Sequence, residues 1–405
     1  MSQPATKVII AGCGIAGPVL AVFLLKQGYT PIIYERLESF TETGIGLCLQ
    51  VNGLRILSKI PGLVESIEGG HLERMLFHSV LPEDEGLLAD FTFPSQPKEK
   101  VGMALGVRRP AFHRRLIDMA IAHGIQVVWG HQVTGLEQHS DSVTVTFQNG
   151  KTDTASFVVG CDGIHSDTRA CLFGKEPADF TGLVQIGGVS PKPSGYPFEK
   201  LTMMNVFGNG EHFITYSVDD THNSWAVTLR EPEAKETWRA MDQESQEDFK
   251  QHSPFASWGV GAGELIRNAT KIVKYGLYDR PQLKSWHVGR VVLLGDAAHP
   301  TSPHLGQGAN QAFEDIAYLT NLLEKYNPQA QQPSTDLLEK IFTEYEETRI
   351  PRTAALVAEA RKQGDLRVAS GVDACKQRNQ IYHEMWGDEE VVKKRYAALL
   401  DHNEK

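Results

Sequence analysis

The feature that most constrains the fold is a glycine-rich turn near the N-terminus, set between an apolar strand and an amphipathic helix. Residues 12–17 read GCGIAG, directly after the apolar run 8–11, and the helix that follows ends near Gly28. A second apolar strand follows and ends at Glu35. This order predicts one βαβ unit, and therefore a parallel sheet in an α/β fold.

Each glycine of the turn has its own mechanical role. Gly12 permits the tight turn, Gly14 lets the backbone approach a pyrophosphate, and Gly17 allows the helix to pack closely. The helix N-terminus then presents N–H groups and the positive end of its dipole to the phosphates. Because the carboxylate of Glu35 can accept hydrogen bonds from ribose hydroxyls, the pattern predicts a dinucleotide site without choosing between NAD and FAD.

Composition narrows the class of protein. The chain has 405 residues, of which 41% are hydrophobic and 22% charged, and this balance is typical of soluble globular proteins with a sizeable core. A net charge of −10 argues against a nucleic-acid partner, because phosphate binding needs a basic field. The cysteines lack CxxC spacing and the histidines lack an HExxH pattern, which predicts no metal site and a reducing, cytoplasmic home. No apolar run is long enough for an integral membrane span.

The middle of the chain predicts a second, β-rich unit inserted into the first. Before it, we expect a helix over residues 52–60 and a hairpin turn at Asn149-Gly150. A polar helix is predicted over residues 233–250, and an apolar strand at 291–294 leads into long C-terminal helices. The β segments predicted for the inserted unit are 183–189, 201–207, 212–218, 224–229 and 270–278.

Two later motifs narrow the cofactor to a flavin. The second motif is residues 158–169, which read VVGCDGIHSDTR. The third motif consists of residues 294–300, which read LGDAAHP, and residues 306–310, which read GQGAN. Together with the first turn, these motifs resemble the single-component (group A) FAD-dependent aromatic hydroxylases. That family includes para-hydroxybenzoate and salicylate hydroxylases and fungal secondary-metabolite monooxygenases. The resemblance runs from residue 8 to about residue 361, and YEETRIPR at 345–352 also resembles a family segment.

The residues of the third motif agree physically with that resemblance. Asp296 follows an apolar strand, where ligands of open α/β sheets bind, so its carboxylate can reach the ribityl hydroxyls of FAD. The helix after Gly306 and Gly308 can present N–H groups and a positive dipole end to the flavin ring.

The resemblance also implies roles for residues outside that motif. Arg109 is the implied FAD contact, although the adjacent Arg108 could occupy the same position of the family pattern. The backbone of Gly46 lies against the flavin. Asp162 serves both FAD and NAD(P)H. The complete expected FAD site is Gly12, Gly14, Ala16, Gly17, Glu35, Arg36, Gly46, Arg109, Asp162, Asp296, Gly306, Gly308, Ala309 and Asn310.

The fold implied by the resemblance is α/β: a GR2-type Rossmann-like FAD-binding domain with an interleaved β-rich (α+β) substrate domain and C-terminal helices. The expected boundaries are 1–70, 101–180 and 285–365 for the FAD-binding domain, 71–100 and 181–284 for the substrate domain, and 366–405 for a C-terminal helical segment.

The implied activity is hydroxylation of a small aromatic or enolic apolar substrate by O2, with NADPH or NADH as a transient reductant and a flavin C4a-hydroperoxide as the oxygen donor. A phenolic substrate reacts after losing its proton, so the β-rich domain needs a basic or hydrogen-bonding group. Tyr216 is the first candidate, and His212 lies on the same strand face at period two. His304 near the flavin loop is a further candidate. Trp225, Arg230 and Tyr275 are candidate pocket walls.

Two alternatives stay open at this point. An epoxidase of an alkene or prenyl chain in the same family needs no phenolate base, and a non-catalytic flavin-binding protein needs no substrate at all. The expected partners are a small molecule and O2, without nucleic acid or an integral membrane contact, and the expected assembly is a monomer or homodimer.

Overall fold

The computed structural model describes residues 6–92, 104–232, 239–388 and 390–394. Its strands, numbered in chain order, are β1 (Lys7–Ala11), β2 (Thr30–Tyr34), β3 (Gly46–Gln50), β4 (Gly70–His71), β5 (Arg74–Ser79), β6 (Gly86–Thr92), β7 (Ala104–Arg108), β8 (Gln126–Val128), β9 (Val133–Gln138), β10 (Val143–Phe147), β11 (Thr152–Ala155), β12 (Phe157–Gly160), β13 (Asp179–Pro191), β14 (Thr202–Phe207), β15 (Glu211–Ser217), β16 (His222–Arg230), β17 (Arg239–Ala240), β18 (Lys271–Asp279), β19 (His287–Val288) and β20 (Val291–Leu293). The helices are α1 (Ala16–Lys26), α2 (Val51–Leu57), α3 (Arg109–Ala122), α4 (Asp167–Phe173), α5 (Gln243–His252), α6 (Ala262–Arg267), α7 (Gly308–Tyr326), α8 (Thr335–Arg367) and α9 (Val372–Trp386). Short 3-10 helices lie at Val64–Ser66, Pro82–Asp84, Pro254–Ser257, Gly295–Ala297 and Pro303–Leu305.

The sheet that carries the glycine turn has the strand order β19-β20-β12-β1-β2-β8. All of its pairings are parallel except that of the edge strand β19 with β20. Val8 and Ile10 on one face of β1 pack against helices that include α1 and α7, whereas Ile9 and Ala11 on the other face pack against the three-stranded sheet β11-β10-β9. Burial on both faces explains the unbroken apolar run of β1 and confirms the predicted parallel sheet.

The second large sheet has eight strands in the order β17-β18-β13-β16-β15-β14-β5-β6. Its pairings are antiparallel except that β14 and β5 run parallel. The five predicted β segments are present as β13, β14, β15, β16 and β18, with ends that differ by at most four residues. A second three-stranded sheet, β3-β7-β4, contacts the eight-stranded sheet at Gly46 and Gly106 and the start of α7 at Asn310.

Two helix predictions differ from the structure. The predicted helix 52–60 is α2, which ends at Leu57 because the next residues change to tighter bonds, from the N–H of Lys59 to the carbonyl of Ile56 and from that of Ile60 to Leu57. The predicted polar helix 233–250 begins only at α5, because Asp242 caps it by accepting a hydrogen bond from Ser245 N–H at 2.8 Å. Residues 233–238 of that prediction lie outside the described residues, as do 1–5, 93–103, 389 and 395–405.

One face of the eight-stranded sheet positions the candidate site. The register places Tyr275, Gln185, Thr228 and His212 opposite one another across β18, β13, β16 and β15. Tyr216 lies four residues further along β15 than His212, on the same face. The end of α8, the 3-10 helix Pro303–Leu305 and strands β3 and β7 cover this face.

Candidate functional site

The glycine turn has the geometry that a pyrophosphate site requires. Gly12 has φ +103°, and a Cβ atom added there would lie 2.5 Å from the carbonyl oxygen of Cys161. A Cβ added at Gly17 would lie 2.1 Å from the carbonyl oxygen of Gly12, whereas one added at Gly14 would meet no atom within 4 Å. Gly12 and Gly17 therefore serve close packing, and Gly14 leaves open space before α1, which begins at Ala16.

The carboxylate of Glu35 closes the other side of this turn. One oxygen accepts a hydrogen bond from the backbone N–H of Cys13 at 2.7 Å, and the other accepts one from that of Leu37 at 3.0 Å. The carboxylate is therefore held beside the turn, with lone pairs left for ribose hydroxyls. The next side chain, Arg36, is exposed.

In the second motif, the carboxylate of Asp162 is hydrogen-bonded to residues of its own loop. It accepts hydrogen bonds from the Ser166 hydroxyl, and from the backbone N–H and hydroxyl of Thr168 at 2.9 Å each. Burial raises the pKa of this carboxyl, and the same hydrogen bonds act against that rise. Because its Cα would lie 2.8 Å from a Cβ added at Gly12, Asp162 holds the second motif against the glycine turn.

Asp296 of the third motif lies in a cleft at the carboxyl end of β20. The Asp296 side chain is exposed to the open space of the cleft. Many protein groups nevertheless lie around the carboxyl, and the resulting desolvation raises its pKa, whereas His299 and Arg109 act to lower it. In the described part of the chain, no hydrogen bond to this carboxylate is present. A free carboxylate in a cleft fits the ribityl hydroxyls of FAD.

The two adjacent arginines point to different partners. Arg109 donates from Nη1 to the carbonyl oxygen and hydroxyl of Thr43 at 2.8 and 2.9 Å. Burial lowers the pKa of its guanidinium, and Asp296 and Tyr275 act on it electrostatically. Arg108 instead forms a salt bridge with Asp219 at 3.0 Å. Of the two, Arg109 is therefore the one that faces the cleft.

Residues 306–310 attach the start of α7 to β3. Asn310 accepts a hydrogen bond from Gln50 N–H at 3.0 Å and donates to the carbonyl oxygens of Cys48 and Gly306 at 3.2 and 2.7 Å. Gly306 has φ +63°, and α7 begins at Gly308, followed by the half-buried Ala309. The side chain of Asn310 thus holds the loop in place, and the free N–H groups of the first turn are left for a ligand.

Gly46 brings β3 against the eight-stranded sheet. A Cβ added at Gly46 would lie 2.4 Å from Ser224 Oγ and 2.6 Å from the Tyr216 hydroxyl oxygen. Burial raises the pKa of Tyr216, so its phenol stays neutral at ordinary pH and acts as a hydrogen-bond donor. This environment does not favour Tyr216 as a base.

His212 is fully buried on the same face. Its Nε2 lies 3.0 Å from Asn205 Oδ1, and its Nδ1 has no hydrogen-bond partner. Desolvation, with the nearby charges of Arg367 and Arg378 and with His304, holds the pKa of His212 well below its usual range. The ring is therefore neutral, and because Nε2 donates to Asn205, Nδ1 is left as a free acceptor.

Two of the candidate pocket walls lie elsewhere. Trp225 points to the opposite sheet face, where its Nε1 donates to Ser190 Oγ at 2.8 Å within a hydrophobic cluster. Arg230 forms an exposed pair with Asp365. Tyr275 does lie on the cleft side, where its hydroxyl donates to Gln185 Oε1 at 2.5 Å. Strand alternation separates Trp225 from this face, because even-numbered positions of β16 share the face of Tyr216. Arg230 is an even-numbered position, but it is the exposed last residue of the strand.

A buried network of ion pairs, which the sequence analysis does not predict, contacts the third motif. Arg349 of α8 pairs with Asp315 and Glu314 of α7 at 2.7 Å each, and Asp315 also accepts from the backbone N–H of Gly295 and contacts His299. The sequence marks segment 345–352 only by its family resemblance. The spacing of three residues between Arg349 and Arg352, which both pair with Glu314, is the sequence signal that could have indicated the network.

Comparison with known proteins identifies the family. A family model described as an FAD binding domain matches residues 5–360. The chain belongs to this FAD-binding family. The 3-amino-4-hydroxybenzoate 2-monooxygenase PtmB3 of Streptomyces platensis is 30% identical over 368 residues, which are 90% of this chain and 89% of that protein. The 6-hydroxynicotinate 3-monooxygenase of Pseudomonas fluorescens is 28% identical over 336 residues, 80% of this chain and 84% of that protein.

Solved structures show the same fold. The crystal structure of Klebsiella pneumoniae HpxO complexed with FAD and uric acid superposes with a TM-score of 0.82 at 23% identity, over 98% of this chain and 97% of that one. This likeness confirms the predicted Rossmann-like α/β fold with a β-rich region and C-terminal helices. As a member of the FAD-binding family, the chain is an FAD-dependent monooxygenase of the aromatic hydroxylase type, for which NAD(P)H is the typical reductant. Epoxidation and a non-catalytic role are not favoured.

Among the helices of the described residues, none combines the length and apolar character that a membrane span requires. The same residues contain no group of three or more His, Cys, Asp or Glu side chains placed to hold a metal ion.

Proposed function

We propose that the substrate is a hydroxylated aromatic ring, bound on the sheet face between β15 and the flavin, and that His212 accepts the proton of its hydroxyl group. The observation that carries this proposal is the free Nδ1 of a buried, neutral His212. A buried acceptor without a partner is costly, so this nitrogen is suited to a donor supplied by a ligand. Removing the hydroxyl proton makes the ring electron-rich.

The residues around His212 define the rest of the reaction site. Bound flavin, once reduced, supplies the activated oxygen that is transferred to the ring. Tyr216, as a neutral phenol beside Gly46, donates a hydrogen bond and orients the ring. The relatives named above act on 3-amino-4-hydroxybenzoate and 6-hydroxynicotinate, and both names include a ring hydroxyl.

FAD binding at the predicted residues forms part of the proposal. The open space at Gly14, the free carboxylate of Asp296 and the cleft-facing Arg109 support it most directly. Asp162 and Asn310 contribute by positioning, because the structure binds their side chains within the protein. The joint pairing of β5, β6 and β13–β18 in one sheet supports residues 71–100 and 181–284 as the substrate domain.

A compound screen tests the function. Purified holoenzyme is given NADPH or NADH with phenols, hydroxypyridines and, as controls, their methyl ethers and prenyl alkenes. We expect a hydroxylated aromatic to stimulate NAD(P)H oxidation and to gain one oxygen atom by mass spectrometry. Oxygenation of methyl ethers as fast as of the free hydroxyl compounds, or oxygenation of alkenes alone, contradicts the role given to His212.

We also propose a cytoplasmic location, because all five cysteines are unpaired and four of them are buried thiols. Whether the assembly is a monomer or homodimer stays a prediction that sedimentation can test.

A further inference from the structure

Buried polar atoms without partners gather where three separate elements meet above the sheet face. His304, in the 3-10 helix Pro303–Leu305, is 3% exposed, and neither of its ring nitrogens has a hydrogen bond. The Nε of Arg367 at the end of α8 and the Nδ1 of His212 on β15 are also without a partner. Arg367 acts electrostatically on both imidazoles, and His304 acts on His212, so the three side chains form one local group.

The ring of His304 is fixed in this position by the helix that covers it. A Cβ added at Gly364 of α8 would lie 2.6 Å from Nε2 and Cδ2 of His304, and 3.1 Å from Leu183 of β13. Only a glycine therefore lets α8 lie on the imidazole. Buried polar groups in native proteins almost always have partners, because an unpaired one loses its hydrogen bonds to water without replacement, so the cluster indicates a ligand.

The charge around the cluster specifies which ligand. Desolvation and Arg367 lower the pKa of His304 to about 3, so this ring is neutral and has one N–H to donate. In the part of the chain that the structure describes, no carboxylate pairs with Arg367. A second guanidinium, Arg378, acts on His212 in the same direction as Arg367. Arg378 lies near the carboxylates of Glu211 and Asp84, whereas the described residues place no carboxylate against Arg367. His304 and Arg367 thus present donors and a positive charge without a paired anion.

We propose that His304 and Arg367 form a subsite for an anionic substituent of the substrate, a ring carboxylate, which accepts hydrogen bonds from Arg367 Nε and from the His304 N–H. The inference rests on the aromatic substrate proposed above. It assigns the substrate two polar groups, a hydroxyl at His212 and a carboxylate at His304 and Arg367. The Gly12–Gly17 turn would hold the flavin pyrophosphate, so the pyrophosphate does not supply this anion.

Paired ligands test the subsite without catalysis. Without NAD(P)H, the flavin absorbance of the holoenzyme is titrated with 3-hydroxybenzoate against 3-hydroxybenzamide, and with 6-hydroxynicotinate against 6-hydroxynicotinamide. We expect at least one acid to bind about tenfold or more tightly than its amide. Arg367→Gln and His304→Leu weaken that acid about 10- to 100-fold, as for loss of a hydrogen bond to a charged group, and change amide binding less than about twofold. Lys362→Gln, which removes an exposed positive charge from the same helix, leaves both affinities unchanged.

Several results would overturn the subsite. These are equal binding of acids and amides by the wild-type protein, no binding of either acid, equal weakening of acid and amide in Arg367→Gln, and loss of FAD from that variant. His304→Phe, which removes both ring nitrogens and keeps a planar ring, replaces His304→Leu if the leucine variant fails to fold. Hydroxylation of neutral phenols without any acid preference removes the subsite but keeps the proposed function, whereas failure to hydroxylate any phenol or acid removes the proposed function itself.

Discussion

At the scale of single residues, a polar row across the eight-stranded sheet determines which groups are free for a ligand. Tyr275 donates to Gln185, and Gln185 Nε2 donates to Thr228 Oγ1 at 3.0 Å. His212 lies opposite Thr228 but bonds sideways to Asn205. Because the other members of the row satisfy one another, the free Nδ1 of His212 is the distinctive feature of this face.

Replacement of His212 tests its role as proton acceptor. We expect His212→Gln to lower kcat/KM about 100-fold or more, the usual contribution of a general base, with flavin content unchanged. Tyr216→Phe, which removes only a donor, should lower kcat/KM about tenfold, mainly through KM. Steady-state NAD(P)H oxidation coupled to product formation measures both. A larger loss in Tyr216→Phe than in His212→Gln would reverse the two assignments.

Asn205 is a positioning residue whose effect appears in the pH profile. In Asn205→Asp, a carboxylate replaces the amide beside Nε2 and stabilises the imidazolium against the opposing charges of Arg367 and Arg378, so the pKa of His212 rises. The base is then protonated up to a higher pH, and the acidic limb of kcat/KM should move upward. Asn205→Leu, the control, should lower kcat without that shift. Nitrogen NMR of His212 reports its tautomer directly, and an unchanged ring in Asn205→Leu counts against positioning.

At the scale of elements, the glycine turn separates packing from ligand binding. Gly17 and Gly14 both lie within the same six residues, but an added methyl group meets the backbone oxygen of Gly12 in one case and open space in the other. The turn and α1 therefore form one unit whose two functions can be tested independently.

Paired alanine variants make that test. Gly17→Ala forces α1 away from the turn and should lower the free energy of unfolding of the FAD-free protein by about 2 kcal/mol or more. Gly14→Ala should leave the stability of the FAD-free protein unchanged and weaken FAD binding about tenfold or more, because the methyl group occupies the space of the pyrophosphate. Urea unfolding and FAD titration measure the two effects. Equal FAD affinity in Gly14→Ala and wild type would contradict the site.

Local elements were predictable from sequence and cross-strand partners were not. The turn, α1 and the hairpin at Asn149-Gly150 followed from spacing, and alternation placed His212 and Tyr216 on one face. The approach of Asn205 to His212, and of Arg367 to His304, depends on which strand or helix lies beside which. Which elements lie side by side leaves no periodic pattern in a single sequence. For the same reason, the sequence does not show that Trp225 lies on the sheet face opposite to Tyr216.

At the scale of the whole molecule, α7 and α8 are joined by ion pairs of two kinds. Arg349 is buried with Asp315 and Glu314, whereas Lys325 and Glu344 form a surface pair at 2.8 Å between the same helices. The buried pair also reaches the third motif through the backbone of Gly295.

These two pairs should contribute very differently to stability. Arg349→Met leaves the buried carboxylate of Asp315 without its guanidinium, while Glu314 keeps Arg352, and should lower the free energy of unfolding by about 3–5 kcal/mol, with loss of FAD. Lys325→Gln, the control between the same helices, should leave the unfolding midpoint unchanged, since exposed pairs are screened by water and salt. Urea denaturation followed by tryptophan fluorescence measures both. Similar midpoints for the two variants would show that Asp315 and Glu314 are not held by Arg349.

The central place of β1 in the parallel sheet has a consequence for synthesis on the ribosome. This strand leaves the ribosome before the other described elements, but one of its neighbours, β12, begins at residue 157, and α7, which covers one of its faces, begins at residue 308. At about 5–20 residues per second, the wait for α7 is roughly 15 to 60 s. During that time an apolar strand without its neighbours is a target for chaperones, and we expect stalled chains to be degraded rather than released as a folded N-terminal domain.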